Sequence, residues 1–389
     1  MPYIPIAKVR GFTETSGSNL VVEGGGFGVV RILKGYQKYL SRFSNDGEAE
    51  GYIPAVSVII PAYNAALSIR KTLDSVFKQS FRDFELIVVD DGSTDQTAQI
   101  VTEVASTAVL VRQTNSGCSA ARNVGLDRAR GRFVTFLDSD DYLHEDYLAN
   151  LYAAAQDSRC EVVISGQYKV NADGDRVAAV RYAEDRQGQG ISKLRRLNIS
   201  GKFYSRDLIE RFHLRFQEGC LYEDNAFNLA AIFLANKVVT LEYAGYFQLL
   251  HENSITTGSR FKLDNLPLKG LEEAVKLVKQ NGCSDPQLFE FTFLSFMTYF
   301  LAFANKRNIW FRGKQQNRKG SWEIEWASYD FLLRITGQYF PGYAHNSYLG
   351  FFKCNKDVSL AQQVGVTTLC WLMRLKLLLP ALAVWHLVW

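Results

Sequence analysis

The sequence predicts an α/β fold built on a mainly parallel sheet, and three observations carry that prediction. Between Val56 and Leu137 short apolar runs alternate with segments of helical periodicity in a βαβαβαβ order, which places helices on both faces of a parallel sheet. Acidic clusters follow two of those runs, Asp90-Asp91 and Asp138-Ser139-Asp140-Asp141, and α/β sheets bind ligands at the carboxyl ends of their strands. The composition is globular: 47% of the 389 residues are hydrophobic and 22% charged, enough to bury a large core.

Taken in order, residues 1–53 read as an amino-terminal arm. Gly24-Gly25-Gly26 and Phe27-Gly28 form a hinge without the spacing of a dinucleotide fingerprint. From Val29 to Phe43, Val29, Ile32, Leu33, Tyr36, Leu40 and Phe43 recur at helical spacing beside the cations Arg31, Lys34, Lys38 and Arg42. This basic amphipathic helix suits either an anionic membrane surface or the catalytic domain. A polar linker, Ser44 to Pro54, follows. Val56–Ile60 is then a buried strand, Ala65–Gln79 a helix, Phe84–Val89 a strand, Thr94–Ala105 a helix, Val109–Arg112 a strand, Ser119–Ala129 a helix and Phe133–Leu137 a strand. Glu145 to Ala155, Phe227 to Leu234, Leu263 to Gln280 and Leu288 to Ala304 have helical patterns.

Charge and cysteine usage bound the function. Lys plus Arg number 44 and Asp plus Glu 40, a surplus of four that gives no argument for nucleic acid. Six cysteines without a CxxC pair predict free thiols, and Met1–Leu20 lacks the basic start and apolar core of a secretory signal. Both features suggest a cytoplasmic protein. The last 25 residues, Gly365 to Trp389, are mostly apolar but interrupted by Arg374, Lys376 and Pro380. They suit an interfacial anchor better than a span, with a buried closing helix as the competing reading. The basic stretch Lys306, Arg307, Arg312, Lys314, Arg318 and Lys319 around Trp310 and Phe311 has the composition of an RNA-binding or interfacial membrane patch, with a solvated loop as the default reading.

Three carboxylates at the mouth of an apolar strand demand positive charge. A hard divalent cation, Mg²⁺ or Mn²⁺, takes one or two carboxylates and completes its shell on substrate phosphates, so the Asp138 to Asp141 cluster points to a nucleoside-diphosphate substrate. Asp141 is alternatively a helix cap.

The ordered motifs Val56-Ser57-Val58-Ile59-Ile60-Pro61-Ala62-Tyr63-Asn64, Val88-Val89-Asp90-Asp91-Gly92-Ser93-Thr94-Asp95, Asn115 to Asn123, Asp138-Ser139-Asp140-Asp141, Leu221-Tyr222-Glu223-Asp224 and Ser254-Ile255-Thr256 resemble the family 2 glycosyltransferases of bacterial surface-polysaccharide type. The resemblance implies a GT-A catalytic domain over 54–258 and a helical carboxyl-terminal region over 259–389. It also implies an inverting transfer from a nucleotide-diphosphate sugar, a UDP-sugar, to a glycan or lipid-linked acceptor at the cytosolic membrane surface. Transfer to a polyprenyl phosphate and a non-catalytic sugar-nucleotide-binding subunit are the competing functions. By family position, Pro61, Tyr63, Asn64, Asp90, Asp91, Arg122, Asp138 and Ser139 bind the nucleotide sugar. Asp140, with Asp138 and His251, holds the cation, and Asp224 is the general base assisted by Glu223. Structural alternatives stand beside these roles: Asp90 as a turn cap, Arg122 as an ion pair to Asp138 or Asp141, Glu223-Asp224 as dipole-stabilising acids at a helix start.

Overall fold

The computed structural model describes residues 52–156, 160–185, 197–250, 263–301, 318–350 and 360–376. The chain divides into two units, Met1–Tyr52 and Ile53–Trp389, and the description concerns the second. The hinge, the basic helix Val29–Phe43 and the linker up to Gly51 lie outside the described residues.

The strands β1 (Val56–Ala62), β2 (Phe84–Asp90), β3 (Val109–Arg112) and β4 (Phe133–Phe136) appear where the apolar runs predict them. β1 pairs in parallel with β2 and β4, and β2 with β3. The helices between them are α1 (Ile69–Phe77), α2 (Thr97–Val104) and α3 (Cys118–Arg128). Two of these start three residues or more later than their periodicity suggests. Ala65 to Ser68 form a turn whose amides bond to Thr97 and Asp95, and the Asp95 carboxylate accepts from the Thr97 amide at 2.9 Å. Short polar side chains at those positions satisfy backbone groups outside the helix.

Two-residue alternation sends β1 and β2 to both faces. Val58, Ile60, Leu86 and Val88 pack with Ile69, Leu73 and Val101 on one side, whereas Ile59, Ile87 and Val89 pack with Ala121 and Leu126 on the other. Because both faces are covered, every β1 and β2 residue is buried, and the strands read as continuous apolar runs.

Beyond Leu137 the sheet is mixed rather than parallel. The remaining elements are β5 (Tyr142–Leu143), α4 (Tyr147–Ala154), β6 (Val162–Val170), β7 (Arg176–Val180), β8 (Lys202–Ser205), α5 (Arg206–Arg211), α6 (Glu223–Leu234) and β9 (Val238–Leu249). The described strands form one nine-stranded sheet, β3-β2-β1-β4-β8-β6-β9-β5, with β7 on β6. β8 runs antiparallel to β4 and β6, and β5 to β9, while β6 and β9 are parallel. β8 therefore joins the parallel half to the rest and brings its residues beside the carboxylate-bearing end of β4.

Helices α7 (Leu268–Asn281), α8 (Pro286–Tyr299), α9 (Arg318–Tyr339) and α10 (Leu360–Arg374) follow. Leu271, Val275, Phe289, Phe293, Leu332 and Val366 share one apolar cluster with Phe227 of α6 and Phe136 of β4. The amino-terminal half of the apolar tail is thus a packed helix: Val366, Leu369, Cys370 and Met373 are buried. Val364, Trp371 and Leu375 are exposed on its other side. Residues 377–389 and most of the basic stretch, from Lys306 to Lys314, lie outside the described residues. Among those described, no helix is long and apolar enough to cross a membrane.

Candidate functional site

At the carboxyl ends of β1 and β2 the chain builds a cradle from short polar residues. Asn64 adopts φ 47, a left-handed conformation that Asn tolerates. It donates its amide to Ser93 Oγ at 3.0 Å and accepts from the Thr94 amide at 2.9 Å. Tyr63 beside it is half exposed, and Pro61 is buried within β1. Asp90 is fully buried, accepting from the Ser93 amide at 3.0 Å and from Arg112 Nε at 2.8 Å. It thus caps the turn and carries an ion pair that the sequence did not signal. Asp91 accepts from the Ser116 and Gly117 amides at 2.9 and 2.8 Å and from Gln113 Nε2 at 2.7 Å, so it fixes the loop leading into α3. Gly92 lies at φ 75, where a Cβ would sit 2.7 Å from the Asn115 nitrogen. Only glycine lets the two loops approach.

The turn after β4 is held from both sides. Thr72 Oγ1 on α1 donates to the carbonyls of Ser139 and Asp141 at 2.9 and 2.8 Å. From β9, the Tyr246 hydroxyl donates to Asp141 Oδ2 at 2.7 Å and accepts from the Asp138 amide at 3.3 Å, while the Leu249 amide donates to Asp141 Oδ1 at 2.8 Å. Asp141 is 2% exposed, and burial, followed by its neighbours Asp138 and Asp140, pushes its carboxyl well above the usual range. It ties the turn to β9 instead of capping a helix, since α4 starts only at Tyr147 after Asp146. Asp138, Ser139 and Asp140 remain partly exposed at the rim.

Arg122, on α3, forms the ion pair to Asp138 that the sequence allowed. It is 5% exposed and bridges Asp138 Oδ1 at 2.9 Å and Glu223 Oε1 at 2.7 Å, with its guanidinium 5.4 Å from the Phe216 ring centroid. Asp141 is not its partner. The guanidinium joins the carboxylates after β4 to those at the start of α6, more than eighty residues later in sequence.

Tyr222 precedes α6 at φ 60, a conformation costly for an aromatic residue and concentrated at functional sites. Glu223 and Asp224 occupy the first turn of the helix, where its dipole favours anions. Asp224 Oδ2 accepts from the Ile199 amide at 3.2 Å and Oδ1 from Asn225 Nδ2 at 3.0 Å. Burial and the charge of Glu223 push its carboxyl up to about 7, against the opposing pull of Arg122 and Lys202. A carboxylate with that affinity for protons is suited to accept one near neutrality. Lys202, buried on β8, has no motif to announce it in the sequence; a charged residue within the short apolar strand Lys202 to Tyr204 was the available signal. His251 lies outside the described residues, as do Ser254, Ile255 and Thr256.

Comparison with known proteins bears on the family and the fold. A sequence profile described as Glycosyl transferase family 2 matches residues 57–217. EpsH of Bacillus subtilis is 31% identical over 242 residues, which cover 59% of this chain and 70% of EpsH. Glycosyltransferase GlyA of Streptococcus pneumoniae is 29% identical over 245 residues, covering 58% of this chain. The matched region spans only 35% of GlyA's length. In fold the chain is similar to Staphylococcus aureus TarS 1-349, solved in complex with UDP-GlcNAc, with a TM-score of 0.59 and 23% identity over 82% of this chain and 92% of that one. The chain belongs to glycosyl transferase family 2 and has the GT-A fold.

Proposed function

We propose that this protein is an inverting glycosyltransferase that moves a sugar from a UDP-sugar to a hydroxyl of a glycan or lipid-linked acceptor, with Asp224 as general base. The observation that carries the reading is the Asp138–Arg122–Glu223 bridge, which sets Asp224 beside the carboxylates of the β4 rim. Inversion in a single displacement needs a proton acceptor across the anomeric carbon from the leaving diphosphate, and Asp224, raised to about 7, supplies one. Tyr63, Asn64 and the loop ordered by Asp91 form the nucleoside side of the cleft. The UDP reading draws support from the ligand of the similar TarS structure. The names of the relatives, GlyA among them, support a role in building glycans.

Among the described residues no three His, Cys, Asp or Glu side chains are grouped to hold a metal by themselves. The donor set nevertheless fits a Mg²⁺- or Mn²⁺-type ion, which keeps one or two carboxylates, here Asp138 and Asp140 at the partly exposed rim, and takes its remaining ligands from phosphate and water. Such an ion, when bound, neutralises charge on the departing diphosphate. Glu223 is held by Arg122 and so keeps a second anion beside Asp224. The exposed Val364 and Trp371 of α10 and Leu375 just past its end, adjoining Arg374 and Lys376, support peripheral attachment to an anionic membrane.

Incubation with a panel of sugar nucleotides, with mass-spectrometric detection of released nucleoside diphosphate, tests the activity. Release of UDP from one UDP-sugar on addition of a glycan or lipid-linked acceptor is the expected result. Absence of release from every donor, despite measurable UDP binding, would leave a binding subunit instead.

A further inference from the structure

Lys202 occupies a position where β8 otherwise buries aromatic rings. It is 1% exposed, and the next two residues, Phe203 and Tyr204, are fully buried. An ammonium taken out of water costs several kcal/mol unless its surroundings compensate. The Lys202 Nζ donates to the carbonyl oxygen of Asn198. That carbonyl belongs to the peptide joining Asn198 to Ile199, and the N–H of the same peptide donates to Asp224 Oδ2 at 3.2 Å. One peptide unit thus stands between a buried cation and the candidate base, its oxygen toward the ammonium and its hydrogen toward the carboxylate. Asn198 is anchored at its other end, where Nδ2 donates to Gln167 Oε1 at 2.9 Å.

We propose that Lys202 is a positioning residue for the base: it fixes and polarises the Asn198–Ile199 peptide, whose N–H aims Asp224 into the cleft and favours its ionised form. The assignment rests on the reading of Asp224 as general base. A hydrogen bond to the charged form of an acid favours that form, and a donor polarised by a cation strengthens the effect. The other groups facing Asp224 are Glu223 on its own helix, Arg122 and Cys118 of α3, Asp138 after β4, Tyr204 of β8 and Cys220 before α6. Arg122 reaches Asp138 and Glu223 directly, so Lys202 is the cation whose contact leads through the backbone to Asp224.

The test compares Lys202→Met, which removes the charge, with Lys202→Arg, which keeps it. The turnover of the sugar nucleotide found active in the release assay is followed from pH 5 to 9, and UDP affinity is measured by calorimetry. The acid limb of the kcat profile is expected to move up by about one pH unit in Lys202→Met and to stay near its wild-type position in Lys202→Arg. Lys202→Met should regain most of its activity at high pH, with UDP affinity retained. An unmoved limb in Lys202→Met, or equal movement in both variants, would overturn the assignment. So would loss of UDP binding and of cooperative melting in Lys202→Met, which would make the residue structural. A wild-type pH profile in Asp224→Asn would instead overturn the base reading itself, whatever Lys202 does.

Discussion

Replacing Asp224 by Asn should make the protein more stable and nearly inactive, and the pH at which the two forms diverge can be worked from the structure. The carboxyl is pushed from 3.8 to about 7, chiefly by burial and then by Glu223. A raised acid contributes stability that is fully present below its unfolded pKa and is lost as pH rises through its folded pKa. The native state therefore loses stability between pH 4 and 8 on account of this group. A shift of about 3 units corresponds to an upper limit of ~4 kcal/mol, and because Asp224 is not fully buried, ~2 kcal/mol is the better figure. Asparagine keeps the shape, can accept the Ile199 amide and never ionises. Asp224→Asn is expected to melt about 3–5 °C above wild type at pH 8 and to match it near pH 4. At pH 8 its turnover should fall by roughly 10²-fold or more, with UDP affinity retained. Differential scanning fluorimetry across pH, paired with the release assay, measures both. A variant that melts at or below wild type at pH 8 would refute the picture of a carboxylate destabilised by its site, and normal turnover would remove it from the chemistry.

Three further outcomes are expected. EDTA should abolish transfer and Mn²⁺ or Mg²⁺ restore it, while Asp140→Asn should lose several kcal/mol of transition-state stabilisation, each ~1.4 kcal/mol being tenfold in rate; full activity in chelator would contradict the cation. Arg122→Met leaves Asp138 and Glu223 facing each other without their shared cation, and a loss of about 3 kcal/mol in urea unfolding is expected; an unchanged midpoint would show that the bridge contributes nothing net. The intact protein should sediment with anionic liposomes at low salt, and Trp371→Ser combined with Leu375→Ser should weaken sedimentation without lowering the melting temperature, since both side chains are exposed. Deletion from Gly365 onward is the poorer test, because Val366, Leu369 and Met373 belong to the core.

What the sequence made legible follows from which forces act locally. β1, β2 and β4 could be read because strands buried on both faces are continuous apolar runs, the partly exposed edge strand β3 as a short β-branched run between two helical segments, and the intervening helices have a period of their own. β6 to β9 could not, because Val162-Val163-Ile164 gives way to Ser165-Gly166-Gln167 within one strand, and the β6–β9 register shifts around Gly166; no simple period survives a bulge. The acids were visible as clusters, but their partners were not. Asp90 pairs with Arg112 and Asp141 with Tyr246, contacts that only the sheet order creates. The demand for positive charge inferred from Asp138, Asp140 and Asp141 was sound as physics yet incomplete as an assignment. Part of it is met by Arg122, and Asp141 is satisfied by a hydroxyl and an amide. That division matters for the chemistry. On the proposed reading Asp138 and Asp140, partly exposed at the rim, are the carboxylates offered to a cation, and Asp141 locks the turn that presents them. Were Asp141 also turned outward, the turn would lose its anchor on β9. The mixed half of the sheet, the part least readable in the sequence, is thus what anchors the turn that carries the most readable motif.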